Sequence, residues 1–286
     1  MKFEPIRLIP ERVETIIDLG QKLSQYEIKA SDQIPPPEVA LRIENAIIGT
    51  LGNILSIIGK AKSRKSFFIG MAVSASVAKN NVISVLTNEL PESQRNVLYF
   101  DTEQGKYHVQ KALKRICTIT GVSEPTNLNT YGLRALNPIE RAELIEYAIY
   151  NTPNLGIVFI DGIKDLITSI NDEEQATMIV SKLMKWSEEK NILIVTVLHQ
   201  NKGDNNARGH IGTELNNKAE TVLSVSKSTE NEMVSIVQAE MCRNLEPESF
   251  AFEIDQNGIP YISDYVANDK PSRKSTKKEL FDLYKS

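Results

Sequence analysis

The sequence predicts an α/β fold: a mostly parallel sheet flanked by helices, with a C-terminal antiparallel extension. Apolar runs rich in β-branched residues alternate with stretches of helical period, the pattern of a parallel sheet covered on both faces. One of those runs leads through a Gly-led loop straight into a helical stretch. From Thr221 onward the runs shorten and turn residues separate them, the pattern of hairpins. A chain of 286 residues accommodates one large domain of this kind with appendages.

Residues 1–37 read as a polar arm with one helix and a Pro-rich connector, Ile34-Pro35-Pro36-Pro37. Ile16, Ile17, Leu19 and Leu23 give the arm a partial apolar stripe, suited to this core or to a neighbouring subunit. The core is expected over 38–264. Its first strand is Asn53–Ile58, followed by the loop and a helix over Lys65–Lys79. Val97–Asp101 is the next strand, with a helix over Lys106–Thr120. Leu128–Leu133 reads as a strand and Pro138–Tyr150 as a helix with proline in its first turn. Gly156–Asp161 and Ile192–His199 are very apolar strands on either side of a helix over Glu174–Lys190. Thr221–Ser226, Met233–Met241, Ser249–Ile254 and Pro260–Ile262 form the antiparallel extension, with Asp255-Gln256-Asn257-Gly258 as a turn. Residues 265–286 form a basic tail, with five basic residues in the nine from Lys270 to Lys278, and read as a mobile tail.

Composition narrows the class. A 41% hydrophobic and 24% charged chain is an ordinary globular one. A net charge of −4 means that any basic footprint is local. Two cysteines, Cys117 and Cys242, form no framework and suit a reduced compartment. The N-terminus MKFEPIRLIPERVE lacks an apolar signal core, and no apolar stretch is long enough to span a bilayer. The expectation is a cytoplasmic protein without a membrane partner.

The segment Gly59-Lys60-Ala61-Lys62-Ser63-Arg64-Lys65-Ser66, with Phe67 behind it, has the spacing of a phosphate-binding loop. Backbone N–H groups and a helix N-terminus there can surround a triphosphate. Lys65 would reach the β- and γ-phosphates of ATP, and the Ser66 hydroxyl would ligate Mg²⁺. Arg64 stands where the pattern has a second glycine. Either the loop accepts a β-carbon there, or Arg64 adds a cation facing the phosphates.

Further candidates stand at or just past strand ends, where ligands bind in open α/β sheets. Asp161 would complete the Mg²⁺ shell, or else cap a turn before Gly162. Glu103 would orient or deprotonate water, or else is an acid favoured by a helix N-terminus. His199 would touch the γ-phosphate as a neutral donor, or else is a satisfied histidine at a loop edge. From Asn201 to Asn217 the chain reads as a long polar loop. Its Lys202, Arg208 and His210 suit contact with a nucleic-acid backbone, though the same residues fit a plain surface loop. Arg243 would reach a neighbouring subunit's γ-phosphate, or else pairs with Glu246 or Glu248.

Taken together these segments resemble the RecA-like ATPases, closest to the RepA-type plasmid-replication helicases and the DnaB-like motor core. The resemblance runs from Pro35 to Ile262. It is carried by IPPP, IIGKAKSRKSF, LYFDTEQG, GIVFIDG, VLHQNKG, AETVLSV and CRNLEPESFAFEI in that order. It implies a RecA-like P-loop NTPase core over 38–264. It also implies a catalytic role for Glu103, a γ-phosphate sensor at His199 and a DNA-lining loop after it. Arg243 then acts across a subunit interface in a ring or filament, with a hexamer as the expected ring. The implied activity is ATP hydrolysis coupled to single-stranded DNA, in replication or mobilisation of a plasmid or mobile element. Two alternatives stay open: a nucleotide-gated assembly or mediator protein with slow or absent turnover, and a regulatory ATPase acting on a protein partner.

Overall fold

Runs such as Ile157–Ile160 are apolar at every position, so a strand made from them must be covered on both sides. A computed structural model, which describes residues 18–169, 172–200, 207 and 209–265, shows how. Contacts divide the chain into two units, Met1–Pro36 and Pro37–Ser286. Within the first, residues 18–24 are helical. Beyond Tyr265 the basic tail lies outside the described residues.

The second unit carries twelve strands in two sheets among its described residues. β1 (Val39–Ile43), β2 (Ala46–Thr50) and β4 (Leu86–Asn88) form a small antiparallel sheet in the order β2-β1-β4. The main sheet has nine strands. Its parallel part contains β3 (Ile54–Gly59), β5 (Asn96–Asp101), β6 (Leu128–Gly132), β7 (Leu155–Asp161), β8 (Leu193–His199) and β9 (Thr221–Lys227). β10 (Ser235–Cys242), β11 (Phe250–Ile254) and β12 (Pro260–Ser263) extend it as an antiparallel meander. The order is β12-β11-β10-β9-β3-β8-β7-β5-β6, so β8 lies between the strand of the phosphate loop and the strand ending at Asp161.

Among the described residues five helices flank this sheet: α1 (Lys65–Val77), α2 (Lys106–Thr120), α3 (Pro138–Asn151), α4 (Glu173–Lys190) and α5 (Gly209–Lys218). Alternate side chains of each strand feed two separate cores. Leu55, Ile57, Tyr99 and Phe159 join Phe68 and Met71 of α1 and Ile116 of α2. Ile58, Phe100, Val158 and Ile194 join Ile145 of α3, Leu183 and Trp186 of α4, and Leu215 of α5. α1 is buried nearly all round, which its composition permits. Its Ser74 and Ser76 hydroxyls donate to carbonyls one turn back, so neither is buried unpaired. The ends of other helices are written locally. Asn137 and Glu140 form a capping box on α3, Asp172 caps α4 by accepting from the Gln175 amide, and Asn191 ends α4 in the left-handed region.

One expectation is corrected, and one element was not foreseen. The stretch read as a loop from Asn201 to Asn217 becomes helical from Gly209, because Ile211 and Leu215, one turn apart, bury against α4. The small sheet is absent from the sequence reading, because its strands are short and its β1–β2 turn, Glu44-Asn45, lacks the usual hairpin pair.

Candidate functional site

The carboxyl ends of β3, β5, β7 and β8 frame a cleft of about 460 Å³. Lys62, Ser63, Arg64, Lys65, Ser66 and Phe67 form one wall, and Glu103, Asp161 and His199 stand across from them. Gly59 ends β3, and Lys60 and Ala61 carry the chain into the loop. A β-carbon on Gly59 would run into the Val225 carbonyl oxygen and lie 2.7 Å from Ser63 Oγ, so the turn out of the sheet needs glycine. Lys62 and Arg64 both take left-handed backbone, with φ of 64° and 72°. This bends the loop back on itself and leads into α1, whose first N–H groups have no intrahelical acceptor. Of the two readings of Arg64, the loop accommodates its β-carbon. Its guanidinium is bonded to the chain leading into β10, donating to the Met233 carbonyl at 2.6 Å and to Ser235 Oγ at 3.2 Å. Phe67 lies under the Arg115 guanidinium, 4.0 Å from its ring centroid.

The Lys65 ammonium donates to the Gly59 and Lys60 carbonyls at 2.8 Å each and lies 3.2 Å from His199 Nδ1. Burial pulls its pKa down to about 8, against the opposing pull of Asp161 and Glu103. On the far side of the same ring, His199 Nε2 is 3.4 Å from Glu103 Oε1. The two partners assign the tautomer. Nδ1 accepts from the ammonium, and Nε2–H donates to the carboxylate. Lys164 Nζ approaches the same Glu103 oxygen at 3.2 Å. The His199 hydrogen bond and the Lys164 charge hold the Glu103 carboxyl down to about 2.

Asp161 ends β7 directly beside Asp101 at the end of β5. Burial, reinforced by the Asp101 charge, pushes Asp161 up to about 7, while the Ser66 hydroxyl and Lys65 act the other way. Its Oδ2 is buried without a hydrogen-bond partner. Asp101 differs: it accepts the Glu103 and Gln104 amides and the Gln104 side chain, so it shapes the turn that presents Glu103. Gly162 follows Asp161 with φ of 112°, where a β-carbon would meet the Thr102 hydroxyl. That turn brings Lys164 back over the cleft. Sequence reasoning missed Asp101, Gln104 and Lys164. The segments Asp101-Thr102-Glu103-Gln104 and Asp161-Gly162-Ile163-Lys164 held the only signal, proximity to a strand end.

An orphan carboxylate oxygen opposite Ser66 and a cationic loop fits a magnesium-bound triphosphate. Among the described residues no group of three or more His, Cys, Asp or Glu side chains is placed to hold a metal unaided, so a Mg²⁺ ion here would draw the rest of its shell from phosphate oxygens and water.

The remaining candidates lie elsewhere. Arg243 follows β10 at the opposite end of the sheet, where its amide donates to the Glu220 carbonyl and its Nη2 to the Lys218 carbonyl at 3.3 Å. No ion pair with Glu246 or Glu248 forms among the described residues. His210 is exposed in the first turn of α5, and Lys202 and Arg208 lie outside the described residues. Among the described residues no helix is long and apolar enough to cross a membrane.

A family model described as an AAA domain matches residues 21–205, well over half of the chain. The matched span contains the phosphate loop, Glu103, Asp161 and His199. No curated protein matches the chain.

Proposed function

The chain belongs to the AAA domain family of P-loop ATPases, and we propose that it works as an oligomeric, ATP-driven motor on single-stranded DNA. The observation that carries this reading is the line Lys65–His199–Glu103, which joins the phosphate loop to a carboxylate across the cleft. Glu103 orients a water for in-line attack on the γ-phosphorus. The water oxygen bonds to phosphorus as the bond to the β–γ bridging oxygen breaks, leaving ADP and phosphate. Lys65 holds the β- and γ-phosphates. Ser66 and Asp161 hold Mg²⁺, which when bound neutralises charge on the phosphate oxygens. Arg243 serves a neighbouring subunit's cleft in a ring, a hexamer by analogy, or in a filament. His199 reports the γ-phosphate to the segment that follows it in the chain, which carries Lys202, Arg208 and His210 and grips the DNA backbone. A role in replication or mobilisation of a plasmid or mobile element accompanies this reading.

ATP turnover with and without single-stranded DNA, across protein concentration, tests it. A motor with shared sites shows DNA stimulation, specific activity that rises with concentration, and loss of both in Glu103→Gln. Flat, unstimulated turnover refutes the motor. One observation favours a second reading. The Glu103 oxygen engaged by both His199 and Lys164 suits a carboxylate tied up in a hydrogen bond and an ion pair and less free to orient a water, and so a nucleotide-gated assembly protein with slow turnover. In that case Glu103→Gln leaves nucleotide-dependent assembly intact.

A further inference from the structure

The residue that breaks the phosphate-loop pattern is tied to a part of the chain that does not line the cleft. Arg64 occupies a left-handed conformation, φ 72°, in which a β-carbon is unfavourable. Its carbonyl accepts the amides of Phe67 and Phe68 and so opens α1. Its conformation therefore sets the direction of the amides that face the phosphates. Its guanidinium donates to the Met233 carbonyl and to the fully buried Ser235 hydroxyl.

The acceptor side is a braced turn between β9 and β10. The Ser228 amide donates to the Val234 carbonyl, and the Val234 amide to the Asn231 carbonyl. Ser228 Oγ accepts the amides of Glu230 and Asn231 and donates to the Tyr265 hydroxyl, which donates to Glu230 Oε2 at 2.9 Å. Asn231 Oδ1 also accepts the Met233 amide, while the Val234 amide, bonded to the Asn231 carbonyl, belongs to the peptide whose carbonyl Arg64 uses. A charged donor on a rigid acceptor offsets the backbone cost of having no glycine at position 64.

We infer that Arg64 is a positioning residue that hangs the phosphate loop on the β9–β10 turn, so that nucleotide affinity depends on the integrity of that turn. The inference rests on the proposed nucleotide site. It reverses the ordinary expectation for this position: glycine, the relaxed residue at such a φ, should here bind nucleotide more weakly than arginine.

The test is calorimetric titration of Mg²⁺·ATP and of ADP into the full chain. The variants are Arg64→Gly, Arg64→Ala, Tyr265→Phe, the double variant Arg64→Gly/Tyr265→Phe, and Lys65→Ala. Arg64→Gly should weaken binding about tenfold, the scale of one lost charge-assisted hydrogen bond. Arg64→Ala should bind more weakly still, since it keeps the β-carbon and loses both acceptors. Tyr265→Phe removes a brace and should weaken binding about threefold beside Arg64 and not at all beside the glycine substitution, a coupling read from the double-mutant cycle. Arg64→Gly binding as tightly as the wild type, or Tyr265→Phe acting equally in both backgrounds, overturns the inference. Should Arg64→Gly melt too low to titrate, Arg64→Lys keeps the charge on a side chain one bond short of the Nη1 that serves both acceptors, and unchanged affinity in it overturns the inference equally. Binding that Lys65→Ala leaves unchanged defeats the nucleotide site itself. Binding lost in Lys65→Ala but intact in the Arg64 variants defeats only the role of Arg64.

Discussion

Asp161→Asn should stabilise the protein, by an amount that depends on pH. Burial next to Asp101 raises the Asp161 carboxyl from 3.8 to about 7. Below 3.8 both folded and unfolded chains hold the proton. Between 3.8 and 7 the folded chain binds a proton that the unfolded chain does not, so this group's contribution to stability falls as pH rises, and it levels off above 7. At about 1.4 kcal/mol per pH unit, the ionised carboxylate costs the fold about 4 kcal/mol. An asparagine has the same shape and no such titration. The stability difference between Asp161→Asn and the wild type should therefore grow by about 3 kcal/mol from pH 4.5 to pH 8. Urea unfolding at the two pH values measures it, in buffer free of nucleotide and Mg²⁺. The same variant should lose the Mg²⁺ dependence of nucleotide affinity, because the oxygen that costs stability is the one offered to the metal. A difference that stays flat with pH would refute the reasoning, since it would mean that the carboxylate is already solvated or paired.

Lys65 titrates at about 8, and bound phosphates should hold its proton. Nucleotide affinity should thus fall by up to tenfold per pH unit above about 8, with proton uptake on binding; Lys65→Arg should flatten the profile, and calorimetry in buffers of different ionisation enthalpy reads both. Gly162→Ala, which drives a β-carbon into the Thr102 hydroxyl at φ 112°, should cost about 3 kcal/mol or more in thermal unfolding. Gly258→Ala, at φ 80° with open space around it, should cost only about 1 kcal/mol. If sites are shared between neighbours, Lys65→Ala and Arg243→Ala chains should each be inactive alone and restore about a quarter of wild-type turnover when mixed in equal amounts; if Arg243 takes no part, Arg243→Ala should be active alone and the mixture should give about half.

What could be read from the sequence follows how strongly local chemistry dictates each element. Strands such as Ile157–Ile160 and Ile194–Leu198 are apolar on both faces, so no choice of register could hide them. Their ends were legible for the same reason: a polar residue closing such a run, as Asp161 and His199 do, can only stand at the sheet margin. A parallel sheet gathers those margins on one side, so Lys65, Glu103, Asp161 and His199 line one cleft. Lys164 was not legible, because its approach to Glu103 depends on the left-handed turn at Gly162 and on β5 lying beside β7. The helix over Gly209–Lys218 was hidden by its two glycines and two asparagines, and only the spacing of Ile211 and Leu215 marks it. The Arg64 anchor depends on residues about 170 positions away and leaves no local trace.

The meander of β10 decides what Arg243 can do. Val225 packs against Gly59 at the cleft, and four residue steps along β9, about 13 Å of strand, separate it from Thr221. β10 runs back along β9, so Cys242 pairs with Thr221 and Arg243 lies beyond even that. Its guanidinium turns further from the cleft, toward the Lys218 carbonyl before β9 begins. No rotamer change in an exposed arginine recovers such a separation across a sheet. Arg243 therefore either meets another subunit's cleft or takes no part in the chemistry, and the mixing experiment distinguishes these. The asymmetry has a consequence for assembly. If Arg243 serves a neighbour's cleft, a head-to-tail order that closes into a ring or grows into a filament would set each cation at the next subunit's cleft.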